Sequence, residues 1–157
     1  MSDRGGQSLW VCGADCTPVL FADPESGHVA ACHAGWRGVA HGILPTAIDR
    51  LEQRGARREQ LIVALGPAVS GERYQVEQSV ALQVGEALAT EPRSLEQLQR
   101  QAVIHPDPEQ GRCRLDIRQA ALQQLEAEGI DSSRITTCPL CTVCLLYTSP
   151  SPRDSDS

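Results

Sequence analysis

The fold is decided by a stretch at residues 14–38, which reads ADCTPVLFADPESGHVAACHAGWRG. It contains an apolar run at residues 17–22, the turn signal DPESG, and a second short apolar run at residues 28–32. Two apolar runs on either side of such a turn predict a β-hairpin. Because a hairpin brings its outer ends together, we expect Cys16 and His33 to lie close in space.

A thiol beside an imidazole supports two kinds of chemistry. Thiolate sulfur and neutral imidazole nitrogen are ligands for zinc or copper, and a site with three protein ligands and one open position is catalytic. Without a metal, Cys16 would be a nucleophile and His33 its base, as in a Cys-His hydrolase or deamidase. A third interpretation is a buried thiol beside a core histidine with no chemical role. The pair alone leaves all three open.

Arg37 follows His33 by four residues and lies between Gly35 and Gly38. A guanidinium offers forked hydrogen-bond donors to a phosphate or a carboxylate. Small neighbours would let a ligand approach the backbone closely. We therefore expect Arg37 to bind an anion.

Bulk properties narrow the class of partner. The 157 residues suit one domain. The net charge is −6, and no dense run of Lys or Arg is present, which argues against nucleic acid and against an anionic membrane and favours a small-molecule ligand. No apolar run approaches the roughly 20 residues that span a bilayer, and no signal-peptide pattern begins the sequence. We therefore expect a cytoplasmic location.

The hydrophobic periodicity predicts strands alternating with helices. Helices are predicted at residues 39–54, with Pro45 in the first turn, at 77–89 and at 116–128; further strands are predicted at 61–65 and 134–137. Residues 90–114 contain three prolines and are predicted to be a loop. This order indicates an α/β (mixed α+β) fold, a layered sandwich with mixed β-sheets covered by helices.

The seven cysteines are expected to be reduced thiols, because their number is odd and no secretory signal accompanies them. Cys12 and Cys32 lie in or beside apolar runs, so we expect both to pack in the core.

Three further cysteines, Cys138, Cys141 and Cys144, have the spacing C-x2-C-x2-C. A closed zinc site needs a fourth ligand, for which no local residue argues. A redox-active C-x-x-C should begin a helix, whereas the intervening Thr and Val favour a strand. We therefore expect neither a second zinc site nor a redox pair here.

Two motifs resemble the signatures of the laccase-domain family, also called the multicopper polyphenol oxidase family and now regarded as purine nucleoside phosphorylases. They are ADCTPVLFAD at residues 14–23 and HAGWRG at residues 33–38, in the family's order and at its spacing. Weaker similarity continues through LGPAV at 65–69, YQV at 74–76, LDI at 115–117 and CTVC at 141–144.

The resemblance implies a metal site. Cys16 and His33 match two of the three family metal ligands, which also take part in catalysis; zinc is the expected metal and copper the alternative. The third family ligand is a histidine in an upstream segment that this sequence lacks. His28, His41 and His105 do not occupy the matching place, so we expect the chain to be truncated relative to the family.

The resemblance also implies an activity, the phosphorolysis of adenosine, inosine, guanosine and methylthioadenosine, with adenosine deamination as a side activity. The partners would be a purine nucleoside and phosphate, with Arg37 holding the phosphate or the ribose. The metal would position a substrate group or activate a water. The rival interpretations are the metal-independent Cys-His hydrolase or deamidase and a non-catalytic fragment.

Three segments are expected along the chain. Residues 1–8 are predicted to be a disordered N-terminus, and residues 9–145 a partial laccase-like domain. The tail at 146–157 is rich in Ser, Pro and Asp, a composition that does not form a packed element. We expect this tail to be disordered and foreign to the domain, and the chain to be truncated at this end also.

Overall fold

The computed structural model describes residues 5–145. The strands are β1 (Thr17–Ala22), β2 (Val29–Ala34), β3 (Ile62–Leu65), β4 (Gln75–Glu77), β5 (Ile104–Pro106), β6 (Arg112–Leu115) and β7 (Ile135–Thr137). The helices are α1 (Trp36–Ala40), α2 (Ile43–Gln53), α3 (Gln78–Glu86), α4 (Leu95–Arg100), α5 (Ile117–Ala127) and α6 (Thr142–Leu145). No helix in this part of the chain is both long and apolar enough to cross a bilayer.

The predicted hairpin is confirmed. β1 and β2 pair antiparallel, with Val19 opposite Cys32 and Pro18 opposite His33. Asp23 holds the connecting turn, because its side chain accepts hydrogen bonds from the backbone N–H groups of Glu25 at 2.9 Å, Ser26 at 3.3 Å and, on the other oxygen, Arg57 at 2.9 Å. A carboxylate that accepts local N–H groups in this way is a strong turn former.

The strands form two small sheets. The larger has the order β2-β1-β3-β7; its first three strands run antiparallel, and β7 runs parallel to β3. The smaller sheet, β4-β6-β5, is antiparallel. Helix α2 packs on β2, and α1 contacts α3 and α5. The predicted α/β (mixed α+β) fold with mixed sheets and covering helices is therefore confirmed.

Alternation along the strands puts one face of the larger sheet in the core. Val19, Phe21 and Val63 are at most 3% exposed, and burial of each such side chain contributes about 1.5–3 kcal/mol. The opposite face is more open, with Leu20 at 51% and Ile62 at 45% exposure. The helices therefore cover the first face.

All three helix predictions hold, with shifted ends; the helix predicted at 77–89 is α3. Helix α2 begins at Ile43, two residues before Pro45, and Gly42, at φ 74°, separates it from α1. Helix α5 begins after Asp116, whose side chain accepts the backbone N–H of Gln119 at 3.0 Å.

The prediction of a loop at residues 90–114 is wrong. This region contains α4 and β5, and β6 begins within it. Ser94 caps α4 through a capping box with Gln97, a recognised helix start signal. The two strands pair across a turn that contains Pro108, and Cys113 of β6 is buried.

Two expectations about the cysteines are also corrected. Cys12 is exposed rather than packed, whereas Cys32 is buried as expected. The segment after Cys141 forms helix α6 rather than a strand. Cys141 pairs with Ala68 in a single parallel bridge, and within residues 5–145 this pairing does not continue past Cys141. The predicted tail at 146–157, and residues 1–4 of the predicted disordered N-terminus, lie outside the described residues.

Candidate functional site

Cys16 lies at the end of the loop that precedes β1. The loop is held by the backbone N–H of Val69, which donates to the carbonyl of Asp15 at 3.0 Å. Gly35 lies directly against the thiol, since a Cβ atom added there would come within 2.8 Å of Cys16 Sγ. A side chain at position 35 would displace the thiol, so the HAGWRG motif shapes the pocket around Cys16.

His33 lies at the same end of the hairpin, in β2 opposite Pro18. Its ring is exposed, and Nδ1 lies 3.0 Å from the carbonyl oxygen of Cys12. A Cβ added at Gly13 would lie 2.9 Å from the Cys16 carbonyl oxygen and 4.0 Å from His33 Cε1. The hairpin thus brings Cys16 and His33 to one place, on either side of Gly13.

The two side chains nevertheless face different cavities. Cys16 lines a pocket of about 280 Å³ together with Trp36 and Tyr74. His33 lines a neighbouring groove of about 460 Å³ with Cys12 and Arg50. No hydrogen bond joins the Cys16 thiol to the His33 ring in residues 5–145.

The pocket at Cys16 is mostly apolar with a few polar groups. Its walls are formed by Ala14, Asp15, Cys16, Gly35, Trp36, Val69, Tyr74 and Ile117. Pockets of this composition are typical of small-molecule sites, and its volume is at the small end of their range. A larger groove of about 430 Å³ lies on the open face of the sheet; it is lined by apolar residues such as Leu20 and Ile62 and offers no reactive group.

Burial favours the protonated forms of two groups in the pocket, the Cys16 thiol and the Tyr74 hydroxyl. It raises the pKa of the Cys16 thiol, and the neighbouring Asp15 carboxylate raises it further. Burial is also the main cause of the raised pKa of Tyr74, to which Cys16 and Asp15 add, while the positive charge of Arg37 opposes them. The Tyr74 hydroxyl is therefore a hydrogen-bond donor at neutral pH.

Arg37 lies in the first turn of α1, next to the pocket residue Trp36. Its guanidinium carbon is 4.7 Å from the centroid of the Trp36 ring, a cation–π contact. The side chain is exposed, and no carboxylate in the described part of the chain forms an ion pair with it. The guanidinium can therefore accept an anionic ligand without first breaking an ion pair.

The described residues do not form a complete metal centre. Cys16 and His33 are two donors of suitable type, but nowhere in residues 5–145 do three or more His, Cys, Asp or Glu side chains gather in a way that could hold a metal ion. A catalytic zinc site normally has three protein ligands. Residues 5–145 therefore supply two of the three protein ligands that such a site needs.

The segment at residues 138–145 is tied to the loop that carries Cys16, through a contact that the CTVC motif alone did not predict. The Thr142 hydroxyl donates to Asp15 Oδ1 at 3.0 Å, and its backbone N–H donates to the Ala68 carbonyl at 3.1 Å. Asp15 and Thr142 are 127 residues apart, so no local pattern links them. Tyr74 was missed as well, although the YQV segment that contains it was noted.

Comparison with known proteins gives a consistent result. A family described as multi-copper polyphenol oxidoreductase laccase matches residues 1–148. A Synechocystis protein named purine nucleoside phosphorylase slr1573 is 42% identical over 150 residues, which are 90% of this chain and 57% of that protein. A Streptomyces coelicolor protein named purine nucleoside phosphorylase SCO2081 is 34% identical over 137 residues, 87% of this chain and 50% of the relative.

Solved structures give the same picture. YlmD from Geobacillus stearothermophilus superposes with a TM-score of 0.73 at 30% identity, over 85% of this chain and 46% of its own. The hypothetical protein YfiH from Bacillus licheniformis gives a TM-score of 0.72 at 31% identity, over 85% and 47%. The chain spans about half the length of the curated relatives it matches. On the match over residues 1–148, this chain belongs to the multi-copper polyphenol oxidoreductase laccase family.

Proposed function

We propose that the pocket at Cys16 is a nucleoside site and that the protein containing it is a purine nucleoside phosphorylase. The observation that carries this proposal is the grouping of two aromatic pocket residues, Trp36 and Tyr74, with the exposed guanidinium of Arg37 over the Trp36 ring. Flat aromatic faces stack on a purine base, and a guanidinium binds phosphate through paired donors. The names of the relatives, purine nucleoside phosphorylase, support the same reaction.

For this reaction the protein has to position the phosphate and the nucleoside and to stabilise the charges of the reacting groups. A phosphate oxygen attacks C1′ of the ribose while the bond from C1′ to the purine nitrogen breaks, and the base leaves with that electron pair and takes up a proton. Arg37 would hold the attacking phosphate, and Tyr74 would donate a hydrogen bond to the nucleoside. Adenosine, inosine, guanosine and methylthioadenosine all present a purine base joined to C1′ of a ribose ring, and all are proposed substrates.

A metal is part of the proposal. Cys16 and His33 would supply two donors to zinc, with copper as the alternative, and a third donor would come from outside residues 5–145. When bound, the metal would supply Lewis-acid chemistry or an activated water. Such a water would account for adenosine deamination as a side activity. A cytoplasmic location, predicted from the sequence, remains part of the proposal.

The Cys-His hydrolase alternative has less support. A nucleophilic cysteine needs a lowered pKa and a base within hydrogen-bond reach. The thiol of Cys16 instead has a raised pKa, caused mainly by burial, and Nδ1 of His33 is directed at the Cys12 carbonyl. The non-catalytic alternative is tested by activity.

The test is steady-state phosphorolysis of adenosine, measured as adenine released against phosphate concentration. Arg37→Ala should raise KM for phosphate roughly 10- to 100-fold, the value expected for losing a charged hydrogen bond, with a smaller change in kcat. Arg54→Ala is the matched control, because Arg54 is also exposed but ends α2 away from the pocket. Equal phosphate KM values for Arg37→Ala and Arg54→Ala would contradict the role of Arg37.

A further inference from the structure

A buried glutamine joins α5 to the helix that carries Arg37. Gln124 belongs to α5, where it is 1% exposed. Its side-chain amide nitrogen donates one hydrogen bond to the Val39 carbonyl and another to the Ala87 carbonyl, each at 3.0 Å. Val39 lies in the last turn of α1, and Ala87 directly follows α3. One side chain thus joins the ends of two helices to a third.

Helix α1 depends on contacts of this kind. It has five residues, Trp36–Ala40, and a helix so short is not stable by itself in water. Gly35, at its N-terminal end, provides no side-chain cap. Val39 is fully buried and anchors the helix in the core. The hydrogen bond from Gln124 to the Val39 carbonyl adds a directional contact at the C-terminal end.

Burial alone would not favour glutamine at position 124. The side-chain oxygen of Gln124, Oε1, is buried and accepts no hydrogen bond from residues 5–145. An unpaired buried acceptor lowers stability, whereas a methionine of similar length would bury no amide. The amide is therefore explained by the two hydrogen bonds that it donates rather than by packing.

The other end of α1 carries the residues on which the proposed phosphate site depends. Trp36 lines the pocket, and the guanidinium of Arg37 lies over the Trp36 ring at 4.7 Å. Val39 follows Arg37 by two residues. Because α1 has only about one and a half turns, a shift at its C-terminal end also moves its first turn.

We propose that Gln124 is a positioning residue, which fixes α1 and so holds the guanidinium of Arg37 where it binds phosphate. This inference rests on the proposed function, because that function assigns phosphate to Arg37. The hold of Gln124 on α1 does not require turnover and is tested separately.

Hydrogen exchange of the full chain tests the hold on α1. Gln124→Met removes the amide and keeps the length of the side chain. The amides of α1, such as that of Val39, which donates to the Gly35 carbonyl at 3.0 Å, should exchange roughly 10-fold faster, the factor for one lost hydrogen bond. Amides of the β1–β2 hairpin should keep their wild-type rates. Gln123→Met is the matched control, because Gln123 is the next residue of α5 and its amide donates to the Gln101 carbonyl instead. Equal exchange of α1 in the two variants would overturn the proposal.

Phosphate kinetics test the link to Arg37. Gln124→Met should raise KM for phosphate roughly 3- to 10-fold, less than loss of the guanidinium itself, with a smaller change in kcat. It should add nothing in the Arg37→Ala background, because the group that it positions is then absent. Gln123→Met should leave the phosphate KM at the wild-type value. Additive effects of Gln124→Met and Arg37→Ala would overturn the proposal.

Two further results separate this proposal from the proposed function and from misfolding. A wild-type chain without phosphorolysis would contradict the proposed function, and hydrogen exchange would still decide whether Gln124 holds α1. In the wild-type chain, the side-chain amide of Gln124 donates to two carbonyls, so NMR should show its protons exchanging far more slowly than those of Gln53, which is exposed on α2. Equal rates for these two side chains would overturn the proposal even if Gln124→Met did not fold.

Discussion

Single residues decide how the candidate pocket is built. Gly35 allows the backbone to lie against the Cys16 thiol, and Trp36 supports the Arg37 guanidinium at 4.7 Å. Gly35, Trp36 and Arg37 belong to the HAGWRG motif, which therefore shapes the pocket and also contributes His33. The two sequence motifs group Cys16, His33 and Arg37 as candidate site residues. Tyr74 and Thr142 could not be named in this way, because only tertiary contacts bring them near Asp15 and Cys16.

Gly35→Ala tests the packing against Cys16. The new Cβ would lie 2.8 Å from Cys16 Sγ, so the thiol must move. We expect adenosine phosphorolysis to fall on the order of 100-fold, as for other small misplacements in active sites, with thermal unfolding close to wild type. Gly5→Ala is the control, because a Cβ there meets nothing within 4 Å. Full activity in Gly35→Ala would argue against a role for the thiol.

The ionisation of Asp23 makes the stability of the fold depend on pH. The N–H of Arg57 is the main cause of its lowered pKa, about 2. Since the folded pKa lies below the unfolded value of about 4, this carboxylate stabilises the fold above pH 4, and the effect is lost as pH falls from about 4 to 2. Urea unfolding should show Asp23→Asn less stable than wild type at pH 6, with the gap closing toward pH 2.

The control for that series is Glu126→Gln, an exposed carboxylate on α5. Its difference from wild type should stay nearly constant over the same range. A gap between Asp23→Asn and wild type that does not narrow below pH 4 would contradict the assignment to Asp23.

At the scale of elements, the sequence predicted those helices and strands whose ends are marked by turn or capping residues. The β1–β2 hairpin and α5 were predicted because turn and capping residues adjoin their apolar patterns. Helix α4 and strands β5 and β6 were missed because all three are short. The two strands are defined by their pairing rather than by a hydrophobic period. Helix α6 was predicted as a strand because Thr142 and Val143 are β-branched. The contacts of Cys141 with Ala68 and Ser70 are tertiary and cannot be inferred from the local sequence.

The capping box of α4 can be tested directly. Ser94 accepts the backbone N–H of Gln97, and the Gln97 side chain accepts the N–H of Ser94 at 2.8 Å. Ser94→Ala should lower the free energy of unfolding by about 1 kcal/mol, measured by urea denaturation. Ser132→Ala, an exposed serine at the start of a 3-10 turn, should change it much less. Equal effects of the two substitutions would show that the cap does not stabilise α4.

At the scale of the whole molecule, distant parts of the chain meet at one pocket. The loop before β1, helix α1, the segment after β3 and the start of α6 converge on it, tied by the Thr142–Asp15 and Val69–Asp15 hydrogen bonds. The residues described here provide the aromatic walls, the thiol and the guanidinium. The family's relatives are about twice as long, and the third metal donor has no counterpart in residues 5–145.

The most direct measurement is product analysis of the full chain incubated with adenosine and inorganic phosphate. The account predicts adenine and ribose 1-phosphate in equal amounts, with no adenine when phosphate is omitted, and loss of both products in Cys16→Ala. Free ribose formed without phosphate, or no product in either condition, would contradict the assignment of this pocket to nucleoside phosphorolysis.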